Sequence, residues 1–303
     1  MALAYILLAH KNPAQLSQLF EAIHAPEDFF VLHVDARAEP ALHDFGRELC
    51  RLHGNVALLP SRPVLWGGAE MVHVQIEGMA LALARSGAWH HCITLTGQDF
   101  PIKTREQILR RLAQRPEFSH VSWFDPLEVP LWSNARERIS KYYFESAALD
   151  ALFKVRFFGR RIRALLGWSR ELPHVPFYRR RWPSFFRYLG GSNHVILSRE
   201  AAQHVAHDPQ ARRIAKWLRH TALADEIVFQ STLMNSGLSA KVENDSLREI
   251  DFPLHSPSPR IFTIEDLPRL LASPALFARK FDTAVDAAVL DALALSLKRP
   301  AGP

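Results

Sequence analysis

Over residues 1–125, short apolar runs alternate with stretches whose apolar residues recur at helical spacing, the pattern of a mainly parallel sheet with a helix in each crossover. Strands of such a sheet are covered on both faces, so they read as near-continuous apolar runs. Leu3–Ala9, Phe29–Val34, Val56–Leu58, Cys92–Leu95 and His120–Trp123 are the predicted strands, each bounded by polar residues, Gly or Pro. Pro13 opens a helix, Glu70–Arg85 carries apolar residues at helical spacing, and Thr104 with Gln107 three residues on predicts a capping box. No basic region precedes the first run, and His10-Lys11-Asn12-Pro13 stands where a leader would be cleaved. The run is therefore read as a buried strand and not a signal peptide.

From Asp125 to Leu189 the periodicity fades into a basic, aromatic insertion that includes Lys154–Leu166. Regular patterns return at Gly190: Val195–Leu197 is strand-like, Arg199–Leu233 is helical, and a final helix is predicted near Thr283–Leu297. No internal repeat interrupts this, and one continuous domain is expected. The net charge of +6 favours anionic partners without choosing among them. With only two cysteines, Cys50 and Cys92, there is no disulfide framework and no zinc spacing, so both are expected as buried thiols in a reducing compartment. No apolar run reaches the roughly 20 residues that span a bilayer. A cytoplasmic protein is expected, with any membrane contact peripheral, at the inner membrane face.

Several common enzyme signatures are missing: G-x-G-x-x-G, the P-loop, H-E-x-x-H and G-x-S-x-G. Asp-x-Asp is also absent. The looser Glu243-Asn244-Asp245 and Glu249-Ile250-Asp251 read as solvated strand edges, because a hard cation needs several convergent oxygens. No metal and no cofactor is expected.

What is present, in order, is His33-Val34-Asp35; Trp66-Gly67-Gly68-Ala69; Thr96-Gly97-Gln98-Asp99-Phe100-Pro101; Gly190-Gly191-Ser192; Ala224-Asp225-Glu226; and Phe277-Ala278-Arg279-Lys280-Phe281. Each piece is weak alone, but together they resemble glycosyltransferase family 14, the core-2/I-branching β-1,6-N-acetylglucosaminyltransferases and peptide O-xylosyltransferases. Trp66-Gly67-Gly68 and Phe277–Phe281 are closer to the xylosyltransferase branch. The resemblance implies a GT-A-type Rossmann-like fold and an inverting transfer of GlcNAc or xylose from a UDP-sugar without a metal. It further implies a UDP-binding half at residues 1–125, the insertion at 126–189, and an acceptor and catalytic half at 190–303 with a C-terminal diphosphate-binding segment.

By the same resemblance Glu226 is the catalytic base, with Asp225 as the nearest alternative; otherwise the pair simply occupies a first helical turn, where acids suit the macrodipole. Arg279 and Lys280 correspond to the family's basic pair, which can replace a divalent ion at the diphosphate. Without the resemblance they read as a solvated helix entry. Arg260 or Arg248 would complete this clamp. Asp99 and Asp35 fall at carboxyl ends of predicted strands, where open α/β sheets bind ligands. Asp35 either contacts a ribose or caps the following turn, and His10 is a candidate of the same kind. Gly67-Gly68 and Gly190-Gly191, with Ser192, form either loops that approach donor or acceptor or sharp turns. Trp66 reads as a core aromatic before a sugar-stacking one.

The expected partners are thus a UDP-sugar and a carbohydrate or lipid-linked glycan acceptor, in glycan or exopolysaccharide synthesis. The Arg, Lys and aromatic residues between Phe153 and Arg187 raise nucleic-acid binding as an alternative, but no RNP, KH or helix-turn-helix pattern accompanies them. Nucleic acid is not expected. A basic amphipathic helix at Lys154–Arg163 would instead meet an anionic membrane surface.

Overall fold

The computed structural model describes residues 1–129, 132, 135–143, 174–253, 256 and 258–298. It opens with β1 (Ala2–Ala9), α1 (Pro13–Ile23), β2 (Phe29–Val34), α2 (Pro40–Leu52), β3 (Val56–Leu58), α3 (Glu70–Arg85) and β4 (Trp89–Thr96). There follow β5 (Asp99–Pro101), α4 (Arg105–Ala113), β6 (Ser119–His120), β7 (Trp123–Phe124), α5 (Ala135–Ser140), β8 (Lys141–Tyr143) and β9 (His174–Arg179). The remainder comprises β10 (Gly190–Gly191), β11 (Ile196–Ser198), α6 (Arg199–His207), α7 (Pro209–Leu218) and α8 (Val228–Met234), then β12 (Val242–Glu243), β13 (Arg248–Ile250), α9 (Leu267–Ala272), β14 (Phe277–Arg279) and α10 (Ala288–Lys298). The basic stretch Lys154–Arg163 lies outside the described residues.

Seven strands form the central sheet in the order β12-β6-β11-β4-β1-β2-β3. β3, β2, β1 and β4 run parallel, and β11 enters antiparallel between β4 and β6. This is the α/β class expected, a mostly parallel sheet flanked by helices. β1 is buried along its whole length. Its odd positions Leu3, Tyr5, Leu7 and Ala9 pack with α1, α2 and α10, while its even positions Ala2, Ala4, Ile6 and Leu8 pack with α3, α6, α7 and α8. The two-residue period of a strand thus assigns alternate side chains to two helical layers. Winding reverses between β1 and β4, and the crevice outside their carboxyl ends is where such sheets bind ligands.

Local chemistry sets the boundaries. Thr104 and Gln107 form the predicted capping box. The helical region after Arg199 is cut in two at Asp208-Pro209: Asp208 accepts from the N–H groups of Gln210 and Ala211, and Pro209 has no donor to continue α6. The final helix begins at Ala288, later than its pattern predicts, because the Asp286 carboxylate accepts from Val289 N–H. The single strand predicted at His120–Trp123 is instead β6 and β7, the second of which leaves the central sheet to pair with β10. β5, β13 and β14, too short for periodicity to reveal, make a separate sheet in the order β13-β14-β5. Cys92 is buried as expected, but Cys50 is only partly so.

One buried ion pair secures the start of the sheet. The Asp28 side chain has no exposed surface, accepts from Leu3 N–H at 2.8 Å and takes two bonds from Arg105, each 2.8 Å. Removing the cation would leave this carboxylate uncompensated, so Arg105→Met should lower the free energy of urea unfolding by about 3 kcal/mol. Arg110→Met, which breaks the exposed pair with Glu106 on the same helix, should cost less than about 0.5 kcal/mol. Equal losses in the two variants would show that the Asp28 pair contributes no more than a surface bridge.

Candidate active site

Pairing of β14 with β5 sets Arg279 directly opposite Asp99, so their side chains share one face. Asp99 is buried at the start of β5, three residues past β4, accepting from Thr96 N–H, with Arg279 Nη1 at 3.3 Å and His194 Nε2 at 3.4 Å. Arg279 and His194 also contact each other. Burial by itself would raise the Asp99 carboxyl, but Arg279 and His194 outweigh it and hold the group well below the usual carboxylate range. Burial, reinforced by Arg279, lowers His194 to about 4. At neutral pH the cluster is therefore a carboxylate, a neutral imidazole and a guanidinium.

Arg248, on β13, lies over the Phe277 ring at 4.4 Å and donates to the carbonyls of Thr94 and Ser246 at 3.1 and 3.3 Å. Burial lowers it to about 10 against the pull of Asp99, and it stays cationic. Arg260 goes elsewhere: it forms two bonds to Asp266 at 2.7 and 2.9 Å and pairs with Asp251 at 3.0 Å. Of the two candidate arginines, Arg248 joins the Asp99 cluster and Arg260 is occupied in an acidic network.

Lys280 follows β14 and so terminates a strand; the solvated helix entry is not found. The buried side chain of Gln15 fixes this segment, donating to Gly97 O at 2.8 Å and Phe281 O at 3.1 Å. Lys280 reaches Ser258 Oγ at 3.5 Å, and burial followed by Arg279 and Lys11 depresses its ammonium. That mutual repulsion means an anion would relieve unfavourable charge here.

Asp35 closes β2, with Arg37 N–H and Nε on one carboxylate oxygen at 2.8 and 3.0 Å, and Arg37 Nη2 and Val64 N–H on the other at 2.9 and 3.0 Å. These contacts cap the turn and bind it to the segment before Trp66. His10 ends β1 with its side chain exposed, within the electrostatic reach of Asp35, Lys280 and Arg279.

Glu226 and Asp225 lie in the 3-10 turn Ala224–Glu226. Arg138 of α5, buried and stacked 4.0 Å from the Trp132 ring, donates to Glu226 Oε2 at 2.8 Å and fixes the carboxylate's orientation. Asp225 is more deeply buried, accepts from Asn193 Nδ2 at 2.8 Å, and is raised by that burial. Glu226 keeps 31% of its side-chain surface exposed, so of the two carboxylates it is the one open to solvent.

The glycine pairs frame this carboxylate. Gly67 adopts φ 77°, a left-handed value that disfavours a side chain, and its carbonyl accepts from Leu223 N–H at 2.8 Å, docking the Trp66-Gly67-Gly68 loop on the Glu226 turn. Trp66 is 56% exposed, which corrects its reading as a core aromatic: the positive φ turns the loop outward before α3 begins. A Cβ on Gly190 would stand 2.3 Å from Trp132, and one on Gly191 1.9 Å from Ser122 O. These two glycines are required by chain packing. Ser192 O accepts from Gln230, and its hydroxyl accepts from His194 N–H at 3.2 Å.

Three of the four acids at the strand edges are in ion pairs, and Asp245 accepts from Leu247 N–H at 2.8 Å. Glu243 meets Arg111 at 2.8 Å, Glu249 meets Arg269 at 2.7 Å, and Asp251 meets Arg269 and Arg260, each at 3.0 Å.

A mostly parallel sheet flanked by helices, with cations and one semi-exposed carboxylate beyond its strands, defines the class as an α/β protein. The family model described as "Branch: Core-2/I-Branching enzyme" matches residues 3–271. The chain belongs to the Core-2/I-branching enzyme family. It is 26% identical to Xylosyltransferase 2 of Homo sapiens over 96% of its own length and 33% of the relative's, and 26% identical to Xylosyltransferase oxt of Drosophila melanogaster over 91% and 31%. The chain thus spans about a third of the length of the curated relatives it matches. Among solved structures, the galactosyltransferase LgtC in complex with donor and acceptor sugar analogs aligns over 98% of this chain and 97% of that one, at 11% identity and a TM-score of 0.44. Mouse xyloside xylosyltransferase 1, apo form, aligns over 91% and 97%, at 12% identity and a TM-score of 0.38.

No motif or periodicity marks Arg138, Asn193 or His194. His194 sits immediately after Gly190–Asn193, so its neighbourhood was visible but its partner on β14 was not; Arg138 lay where helical periodicity had faded. The Asp35 carboxyl is held at about 2: burial opposes ionisation, but the Arg37 and Val64 bonds prevail over it. A carboxyl depressed on folding contributes stability above its unfolded pKa and loses it as pH falls through the folded one. The stability difference between wild type and Asp35→Asn should therefore be constant from pH 5 to 8 and shrink from about pH 4 towards 2, as urea unfolding would measure. A difference that grows on acidification would contradict this account of the turn.

Proposed function

We propose that the chain is an inverting glycosyltransferase that moves GlcNAc or xylose from a UDP-sugar to an acceptor hydroxyl without a metal, in the synthesis of a glycan or exopolysaccharide. The observation that carries this reading is the adjacency of Asn193 and His194. Asn193 holds Asp225 beside Glu226, and His194 contacts Arg279 and Asp99, so one turn ties the carboxylate pair to the cationic cluster. Family membership and the xylosyltransferase relatives support the same chemistry.

In this mechanism Glu226 accepts the proton of the acceptor hydroxyl as its oxygen bonds to the anomeric carbon, and the bond from that carbon to the UDP oxygen breaks on the opposite face. The departing diphosphate gains negative charge, which Arg279, Lys280 and Arg248 are placed to stabilise without reorganising. Arg279 lies against Asp99, with Arg248 within electrostatic reach of both and Lys280 within reach of Arg279, and this grouping of positive charge supports a cationic clamp.

Glu226→Gln should retain UDP affinity within about threefold while turnover falls by at least about 10², the effect of a lost general base. Full turnover in this variant, or loss confined to Asp225→Asn, would move the base elsewhere. Lys280→Ala should weaken UDP binding and lower turnover together, by roughly 10- to 150-fold for one charge-assisted contact. Activity should survive EDTA. Loss of activity on chelation, restored by Mn²⁺ or Mg²⁺, would overturn the metal-free clamp while leaving the glycosyltransferase assignment standing.

A further inference from the structure

A groove of about 340 Å³ runs between α3 and α7, away from the cationic cluster at β14. One wall is the α3 face His73, Ile76, Glu77 and Ala80; the other is Arg212, Ala215, Lys216 and Arg219, on and just past α7, with Val205 of α6 beneath. Both walls repeat at i, i+3, i+4 and i+7, so each is one helical stripe. Ile76, Ala80, Val205 and Ala215 make the floor apolar.

The charge across the groove is lopsided. Arg212, Lys216 and Arg219 are exposed, and Arg212 turns only to Ala206 O and the His207 ring, each at 3.5 Å. No carboxylate among the described residues is within ion-pair distance of these three cations. Opposite them, Glu77 is taken by Arg62, and His73 lies 3.5 Å from Glu70. The groove also leads towards the proposed catalytic turn. α3 begins just past Gly67, α7 ends just before Leu223, and the bond from Leu223 N–H to Gly67 O joins the two ends beside Glu226.

We infer that this groove seats an anionic amphiphile, a phosphorylated lipid whose hydrocarbon lies on Ile76, Ala80, Val205 and Ala215 and whose phosphate lies against Arg212, Lys216 and Arg219. Neither half of the groove explains the other: a free anion has no use for the apolar floor, and a neutral lipid none for the cationic wall. Resting on the glycosyltransferase reading, the amphiphile is the lipid-phosphate carrier of the acceptor glycan, lying where its sugar end can approach Glu226.

Calorimetric titration with dodecyl phosphate tests the inference directly, against dodecyl maltoside and inorganic phosphate as probes of each half alone. Dodecyl phosphate should bind at least about tenfold more tightly than either, because each control lacks one part of the recognition. Arg212→Glu combined with Lys216→Glu and Arg219→Glu should weaken it at least about tenfold, and Ala80→Trp, which fills the floor without altering charge, should do the same. UDP-sugar hydrolysis should be unchanged in both. If circular dichroism shows the triple variant unfolded, Lys216→Gln with Arg219→Gln replaces it and should still weaken binding. Inorganic phosphate binding as tightly as dodecyl phosphate would reduce the groove to a simple anion site. Undiminished dodecyl phosphate binding in the folded variants would overturn the inference, as would an RNA oligonucleotide being the one probe whose binding the charge reversal abolishes. Failure of the glycosyltransferase reading would appear differently, as no UDP-sugar hydrolysis in a protein that still binds the amphiphile.

Discussion

A carboxylate without solvent just past the central strand organises the crevice. Taking Asp99 out of water costs several kcal/mol unless cations and donors meet it, and those partners come from places distant in the chain: Thr96 from the same turn, His194 from between β10 and β11, and Arg279 from β14. The three-stranded sheet that carries Arg279 is thereby committed to the edge of the parallel sheet. Displacing β14 would remove the guanidinium that faces this buried charge.

The same cluster leaves positive charge in excess. Asp99 faces Arg279, while Arg248 and Lys280 are depressed by burial and, in part, by neighbouring cations. Such a site is preorganised for anions, since its cations are fixed in place by carbonyls, a ring and strand pairing before any ligand arrives. A few residues away the electrostatics invert: the turn at Ala224–Glu226 presents carboxylates, one buried and one half-exposed, with Arg138 orienting the latter. In the proposed reaction this separation lets negative charge depart from one face of a carbon while a proton is removed on the other.

The Trp66-Gly67-Gly68 loop and the groove between α3 and α7 extend this arrangement outward. The loop is fixed by Asp35 and Arg37 at one end and by Leu223 at the other, so an exposed indole is presented on a rigid support. Among the described residues no helix is long and apolar enough to cross a membrane.

Sequence alone determined the parallel α/β core, because β1, β2 and β4 are nearly continuous apolar runs and such runs fit a sheet covered on both faces. It also determined the capping box at Thr104 and, through ordered motifs, the family, and it offered Glu226, Asp99, Arg279 and Lys280 as candidates. Only tertiary structure separated the surroundings of Arg248, within electrostatic reach of Asp99, from those of Arg260, paired with Asp251 and Asp266, since both are single basic residues in loop-rich sequence. It likewise turned Trp66 outward, split the predicted strand at His120–Trp123, and brought Arg138, Asn193 and His194 to the site. Periodicity records which face of an element is covered, whereas a buried charge records its partner only in space. For that reason the sheet was legible and the pairing of its charges was not.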